Sequence, residues 1–212
     1  MLQIDRLREL LGPGGLLGPE ETALRPANLK TPTPRTAIGL ARPRTTAEVS
    51  AILRLCNETG QPVCVQGGLS VLDGSVSAPD ELALSLERMA AIEDIDTVNR
   101  TAIVQAGCLL QNFQEAVQAR GLEYGVDYAG RAVATIGGNV STNAGGNRVL
   151  RYGMTREQVL GLEAVLAEIR GRVGLDLATA RGHDVGHAPA RRLVRRRHQS
   201  LAAQHGPLRA RA

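Results

Sequence analysis

Ala132-Val133-Ala134-Thr135-Ile136-Gly137-Gly138-Asn139-Val140-Ser141-Thr142-Asn143-Ala144-Gly145-Gly146-Asn147 runs between Arg131 and Arg148 without a charge. Its four glycines lack Cβ atoms, so backbone amides there can approach another group closely. Thr135, Ser141, Thr142 and three asparagines add neutral donors and acceptors. Such a composition suits a large polar ligand held by many hydrogen bonds and not by a point charge. A pair of tight turns, with Asn and Gly in left-handed conformations, is the other reading of the same residues.

A second glycine stretch lies upstream and favours the ligand reading. Pro62-Val63-Cys64-Val65 is a short apolar strand that runs straight into Gln66-Gly67-Gly68-Leu69-Ser70. It is preceded by the most clearly marked helix of the chain. Thr45 to Glu48 has capping-box spacing, Val49, Ile52, Leu53 and Cys56 follow at helical intervals, and Gly60 is the stop. Helix, strand and glycine loop in that order form a common ligand-binding unit, although a simple β-turn after the strand would read the same way.

Around these two stretches the chain alternates helix and strand signals, predicting a mixed α/β fold. Leu7, Leu10 and Leu11 mark a short amphipathic helix that Gly12-Pro13-Gly14-Gly15 ends. The segment 18–44, with Pro26, Pro32, Pro34 and Pro43, is expected to be extended or loop-like. Leu82, Leu84 and Leu86 alternate as a strand, and 92–107 reads as a hairpin turning near Asn99-Arg100. Leu110, Phe113, Ala116 and Val117 mark a helix closed by Gly121, and Val159–Leu166 reads as a buried strand. The expected organisation is a lead-in over 1–44, a ligand-binding body over 45–167 and an arginine-rich tail over 168–212.

Several chemistries are excluded or displaced. Neither G-x-G-x-x-G nor G-x-x-x-x-G-K-[ST] occurs, so a nucleotide would have to be held by other means. His183, His187, His198 and His205 all lie in the tail, leaving 1–167 without an imidazole for a triad, a metal or a proton shuttle. Asp73, Asp127 and Glu163 could act as bases, but structural or solvated roles suit them better. The three cysteines form no C-x-x-C pair and read as buried thiols of a reducing compartment, which together with the charged N-terminus points to the cytoplasm. No run of eighteen apolar residues exists, so no membrane span is expected.

The net charge of +4 conceals a division. The tail carries ten Arg against three acids, or +7, while 1–167 carries fourteen Arg and one Lys against eighteen acids, or −3. Any attraction to nucleic acid would therefore belong to the tail alone, and without aromatics it would be salt-sensitive and blind to sequence. Composition favours a disordered tail without function, and the abrupt change after Ala167 reads as an out-of-frame or artificial end to a truncated protein.

Taken in order, Ala41 to Val49, Gln66 to Ser70, Leu84-Ser85-Leu86-Glu87-Arg88-Met89, Thr135 to Arg148 and Arg151-Tyr152-Gly153 resemble the FAD-binding domain of the FAD-linked oxidase family. Within it the pattern is similar to the glycolate oxidase flavin subunit and to the D-lactate and D-2-hydroxyglutarate dehydrogenases. The resemblance covers roughly 41–167 and implies an α/β (α+β) fold of the vanillyl-alcohol-oxidase kind, two small subdomains clasping FAD. It implies that Gln66, Gly67, Gly68, Leu69 and Ser70 cradle the pyrophosphate. Thr135, Gly137, Gly138, Asn139, Ser141 and Asn143 would line the flavin and ribityl chain. With no histidine in 1–167 for a covalent link, the FAD is expected to be non-covalent. The implied chemistry is hydride transfer from a D-2-hydroxy acid to the flavin, with substrate groups supplied by a further domain that is missing here. The alternatives are a non-catalytic FAD-binding subunit joined to partner oxidase subunits, and an arginine-rich binding protein with a degenerate flavin fold. Val71, Asp73 and Ser75 stand where the family has glycine and small residues. A β-branched side chain and a carboxylate there predict weakened flavin affinity.

Overall fold

The computed structural model describes residues 4–26, 35–70 and 79–166. Val71, Asp73 and Ser75, with Pro32, Pro34 and the tail 168–212, lie outside the described residues.

Helix α3 (Thr46–Thr59) begins where its sequence signals place it. The Thr45 hydroxyl accepts from the Glu48 amide at 3.1 Å, the Glu48 carboxylate accepts from the Arg44 amide at 2.7 Å, and Gly60 closes the helix at φ 68°. Its inner face buries Val49, Ile52, Leu55 and Cys56. It lies against α1 (Ile4–Leu11), whose Leu7 and Leu11 are fully buried, and against a parallel sheet. Strand β4 (Leu82–Ser85), buried along its length, is the centre of that sheet, paired in parallel with β2 (Gly39–Ala41) and β3 (Val63–Gln66). β1 (Leu16–Leu17) adds an antiparallel edge to β2, giving the order β1-β2-β4-β3.

The segment expected to be extended therefore holds regular structure. Pro19 opens α2 (Pro19–Ala23) at a position where a helix needs no amide donor, and Glu21 accepts from the Gly18 amide at 3.0 Å. Gly39–Ala41 becomes a strand because β1 and β4 offer hydrogen bonds on both sides. Residues 4–26 and 35–44 thus share one sheet and one core with α3.

A second core follows. β5 (Ile92–Asp96) and β6 (Thr101–Val104) form the expected hairpin, with Arg100 at φ 54° and the Asp96 carboxylate accepting from the Val98 and Asn99 amides at 2.9 and 2.8 Å. α4 (Leu110–Gln118) packs Phe113 against Tyr124 edge to face, with ring centroids 5.1 Å apart. After it come α5 (Ile136–Thr142), α6 (Val149–Tyr152) and α7 (Thr155–Gln158). Val159–Leu166 forms no strand, contrary to its apolar pattern. Leu160, Glu163, Ala164 and Leu166 are exposed, and no described strand lies alongside to accept its backbone bonds. No described helix is long and apolar enough to cross a membrane.

Near the first sheet, Glu87 accepts from Arg25 at 2.7 Å and from Arg42 at 2.9 Å. Burial alone would raise its pKa, but the two guanidinium groups outweigh that and hold it below its ordinary value. A depressed carboxylate pKa contributes stability above the unfolded value, about 4.3, that is lost as pH falls through the folded one. Glu87→Gln should lower stability at neutral pH and flatten the acid limb of a denaturation series between pH 7 and pH ~3. Thr45→Ala should cost about 1 kcal/mol, read from urea unfolding at unchanged slope.

Candidate functional site

The two glycine stretches, far apart in sequence, meet backbone to backbone. β3 ends in Gln66, whose side chain is buried at 2% exposure, and the chain turns into Gly67 and Gly68. A Cβ on Gly68 would stand 1.7 Å from the Val133 carbonyl oxygen, and one on Gly67 would stand 2.8 Å from the Thr135 hydroxyl. Both glycines are required by the opposing chain. Leu69 then takes φ 51°, an unusual conformation for a branched aliphatic residue. Among the described residues, no backbone carbonyl accepts from the amides of Gly67, Gly68, Leu69 or Ser70.

The second stretch is anchored at its start. Leu109 bridges Thr135, the Ile136 amide donates to the Cys108 carbonyl at 2.9 Å, and the Gly137 amide donates to the Ala106 carbonyl at 2.7 Å. Thr135 then caps α5, its hydroxyl accepting from the Gly138 amide at 3.2 Å. Asn143, at φ 51°, ends the helix in the left-handed conformation, and its carboxamide oxygen accepts from the Arg156 amide at 2.9 Å.

Between the two stretches lies a cleft of about 300 Å³. From the first it is lined by Val65, Gly67, Gly68, Leu69 and Ser70, and from the second by Thr135, Gly138, Asn139, Ser141, Thr142, Ala144, Gly145 and Gly146. Tyr128 completes the wall. Of the residues singled out by sequence, Gly67, Gly68, Leu69, Ser70, Thr135, Gly138, Asn139 and Ser141 come together here. Gln66 lies beneath the loop, Gly137 is packed on Ala106, where a Cβ would stand 2.7 Å from another, and Asn143 serves as a cap. Thr142, Gly145 and Gly146, read from sequence as part of the uncharged run but assigned no ligand contact, line the cleft as well, with Ala144. Tyr128 carried no motif.

Among the described residues, the lining contains no charged side chain. Charges nearby are engaged in structure: Asp127 accepts from Arg131 at 3.2 Å and from Gln114 at 3.3 Å, and Arg148 pairs with Glu123 at 2.5 Å and lies 3.5 Å from Asp127. The Asp127 carbonyl also receives the Asn147 amide and sits where a Cβ of Gly146 would be, closing the second stretch onto the fold. Glu163 accepts from the Thr46 hydroxyl at 3.1 Å, away from the cleft. Tyr128 has its pKa raised by burial, partly opposed by a hydrogen bond from Ser70, so it stays a neutral phenol. Cys56 and Cys108 are buried, the Cys56 thiol pushed up to about 11 by desolvation, which makes it inert.

The description "FAD binding domain" is that of the family matching residues 37–171. Over 149 residues, 70% of this chain and 28% of the relative, the chain is 45% identical to D-2-hydroxyglutarate dehydrogenase, mitochondrial, of Danio rerio. It is 40% identical over 149 residues to glycolate oxidase subunit GlcD of Bacillus subtilis, covering 68% of this chain and 31% of that one. Among solved structures, an alkyldihydroxyacetonephosphate synthase superposes with TM-score 0.69 at 17% identity, over 76% of this chain and 35% of its own. 6-Hydroxy-D-nicotine oxidase of Arthrobacter nicotinovorans gives TM-score 0.63 at 19% identity, over 74% and 35%. The two structures bear on fold alone, which is the oxidase-type α/β fold expected. The chain spans under a third of the length of these two curated relatives.

Gly68→Ala should force the two loops apart, since the obstructing atom is a backbone carbonyl. A loss of about 1–3 kcal/mol in urea unfolding is expected, with faster proteolysis at the loops, whereas Gly138→Ala, whose Cβ would meet only the Thr135 hydroxyl at 3.1 Å, should remain near the parent.

Proposed function

The chain belongs to the FAD binding domain family, and on that premise we propose that it holds FAD non-covalently in the cleft between the two glycine loops. It would do so as the flavin-binding portion of an oxidoreductase acting on a D-2-hydroxy acid, of the kind named in its relatives. The observation that carries this reading is an uncharged cleft walled on two sides by glycine-rich backbone, with hydroxyl and carboxamide groups between.

FAD fits the residues present. Its pyrophosphate needs several amide donors, which the Gly67 to Ser70 turn offers. Its ribityl and ring heteroatoms need neutral donors and acceptors, which Thr135, Ser141, Thr142 and Asn139 offer. The Nδ2 of Asn139 is buried with no protein partner, and a ligand acceptor would satisfy it. When bound, FAD supplies the hydride acceptor, and the protein's share is to bind and orient it. At about 300 Å³ the cleft is at the lower bound for ligand sites, consistent with one wall of a larger site.

The substrate side is carried by other protein. A 2-hydroxy acid needs a cation for its carboxylate and a base for its hydroxyl proton, and neither is among the described residues that line the cleft. That, with the small share of the relatives that is spanned, also favours a second reading: an FAD-binding subunit that turns over only when joined to partner oxidase subunits. Co-purification with such a subunit would support it. The free thiols fit a reducing compartment, cytoplasm or mitochondrial matrix.

Visible absorbance titration should show FAD saturating the chain with a perturbed flavin band. Gly138→Val, which places a branched side chain at the cleft wall, should weaken binding by about tenfold or more. A flavin spectrum unchanged by the native chain would defeat the reading.

A further inference from the structure

One residue of the cleft belongs to neither glycine stretch and is hydrogen-bonded to the second. The Tyr128 hydroxyl donates to Asn139 Oδ1 at 2.5 Å. The ring is packed against Gly130, where a Cβ would stand 3.0 Å from Tyr128 Cε2. The bond ties the chain before the second stretch to α5, at a wall of the cleft that Ser70 also lines.

The consequence falls on Asn139, which lines the cleft and is buried to 2% exposure. Its Oδ1 is taken by Tyr128 and its Nδ2 has no protein partner. With Oδ1 on the phenol, both N–H donors of the amide are available. Among the cleft's described side chains, it is the one buried donor left unsatisfied.

We propose that Tyr128 is a positioning residue of the cofactor site: its bond to Oδ1 holds the Asn139 NH2 toward an acceptor oxygen of FAD. The assignment of the ligand rests on the FAD reading above, while the Tyr128–Asn139 bond itself is a property of the unliganded chain. Two measurements separate them.

In FAD titrations, Tyr128→Phe should weaken binding about fivefold and Asn139→Ala about tenfold. The double variant should match Asn139→Ala within about twofold, because Tyr128 acts through Asn139. Asn139→Asp, which keeps an acceptor for the phenol and removes the donor, should bind FAD no better than Asn139→Ala. An unchanged affinity for Tyr128→Phe, or effects that multiply in the double variant, overturns the proposal. In hydrogen exchange on the chain without FAD, Tyr128→Phe should speed amides in 136–140, with the Phe113 region unaffected. Unchanged exchange in 136–140 overturns the tie between Tyr128 and Asn139. Should the native chain fail to titrate, the FAD reading falls and the assignment of Asn139 to FAD with it. A native chain that titrates beside an unaffected Tyr128→Phe sinks the Tyr128 proposal alone.

Discussion

The contact of Gly68 with the Val133 carbonyl is the constraint on which the rest depends. It joins two units with separate cores, one built on α1, α3 and the parallel sheet, the other on the β5–β6 hairpin, α4 and the Tyr124 to Ile136 segment. A single methyl group at this point would exceed the space available. A second such point is Gly107, where a Cβ would stand 1.9 Å from the Leu86 carbonyl, so the end of β4 and the start of α4 are also joined through bare backbone. The cleft exists because these seams bring two loops to one place while the turn after β3 leaves its amides facing outward.

Charge is distributed to the same effect. Arginine and carboxylate groups pair in the scaffold, Glu87 with Arg25 and Arg42, Asp127 with Arg131, Glu123 with Arg148. The described lining of the cleft is left neutral. A neutral wall of backbone and hydroxyl groups can surround a ligand that is anionic at one end and aromatic at the other, without a fixed cation favouring only the first.

Elements whose instructions are local were legible. The α3 cap and stop, the Asn99-Arg100 turn and the glycine loop after β3 follow from residues within a few positions of one another. Elements whose instructions are distant were not. Gly39–Ala41 is three residues long and is a strand only because β1 and β4 flank it. Val159–Leu166 has a strand's pattern and no neighbouring strand among the described residues. Pro19, within the segment expected to be extended, opens a helix instead, where Glu21 accepts from the Gly18 amide.

The sequence by itself determined the α/β class, the two glycine loops and their family, since motif order and spacing survive without coordinates. The tertiary structure alone decided what each glycine is for. Ligand approach and chain approach demand the same absence of a side chain, and only the opposing backbone separates Gly67, Gly68 and Gly146 from a simple turn or an open cradle. Likewise only folding brings Tyr128 to Asn139, 11 positions away, because a hydrogen bond of one phenol has no signature in the chain.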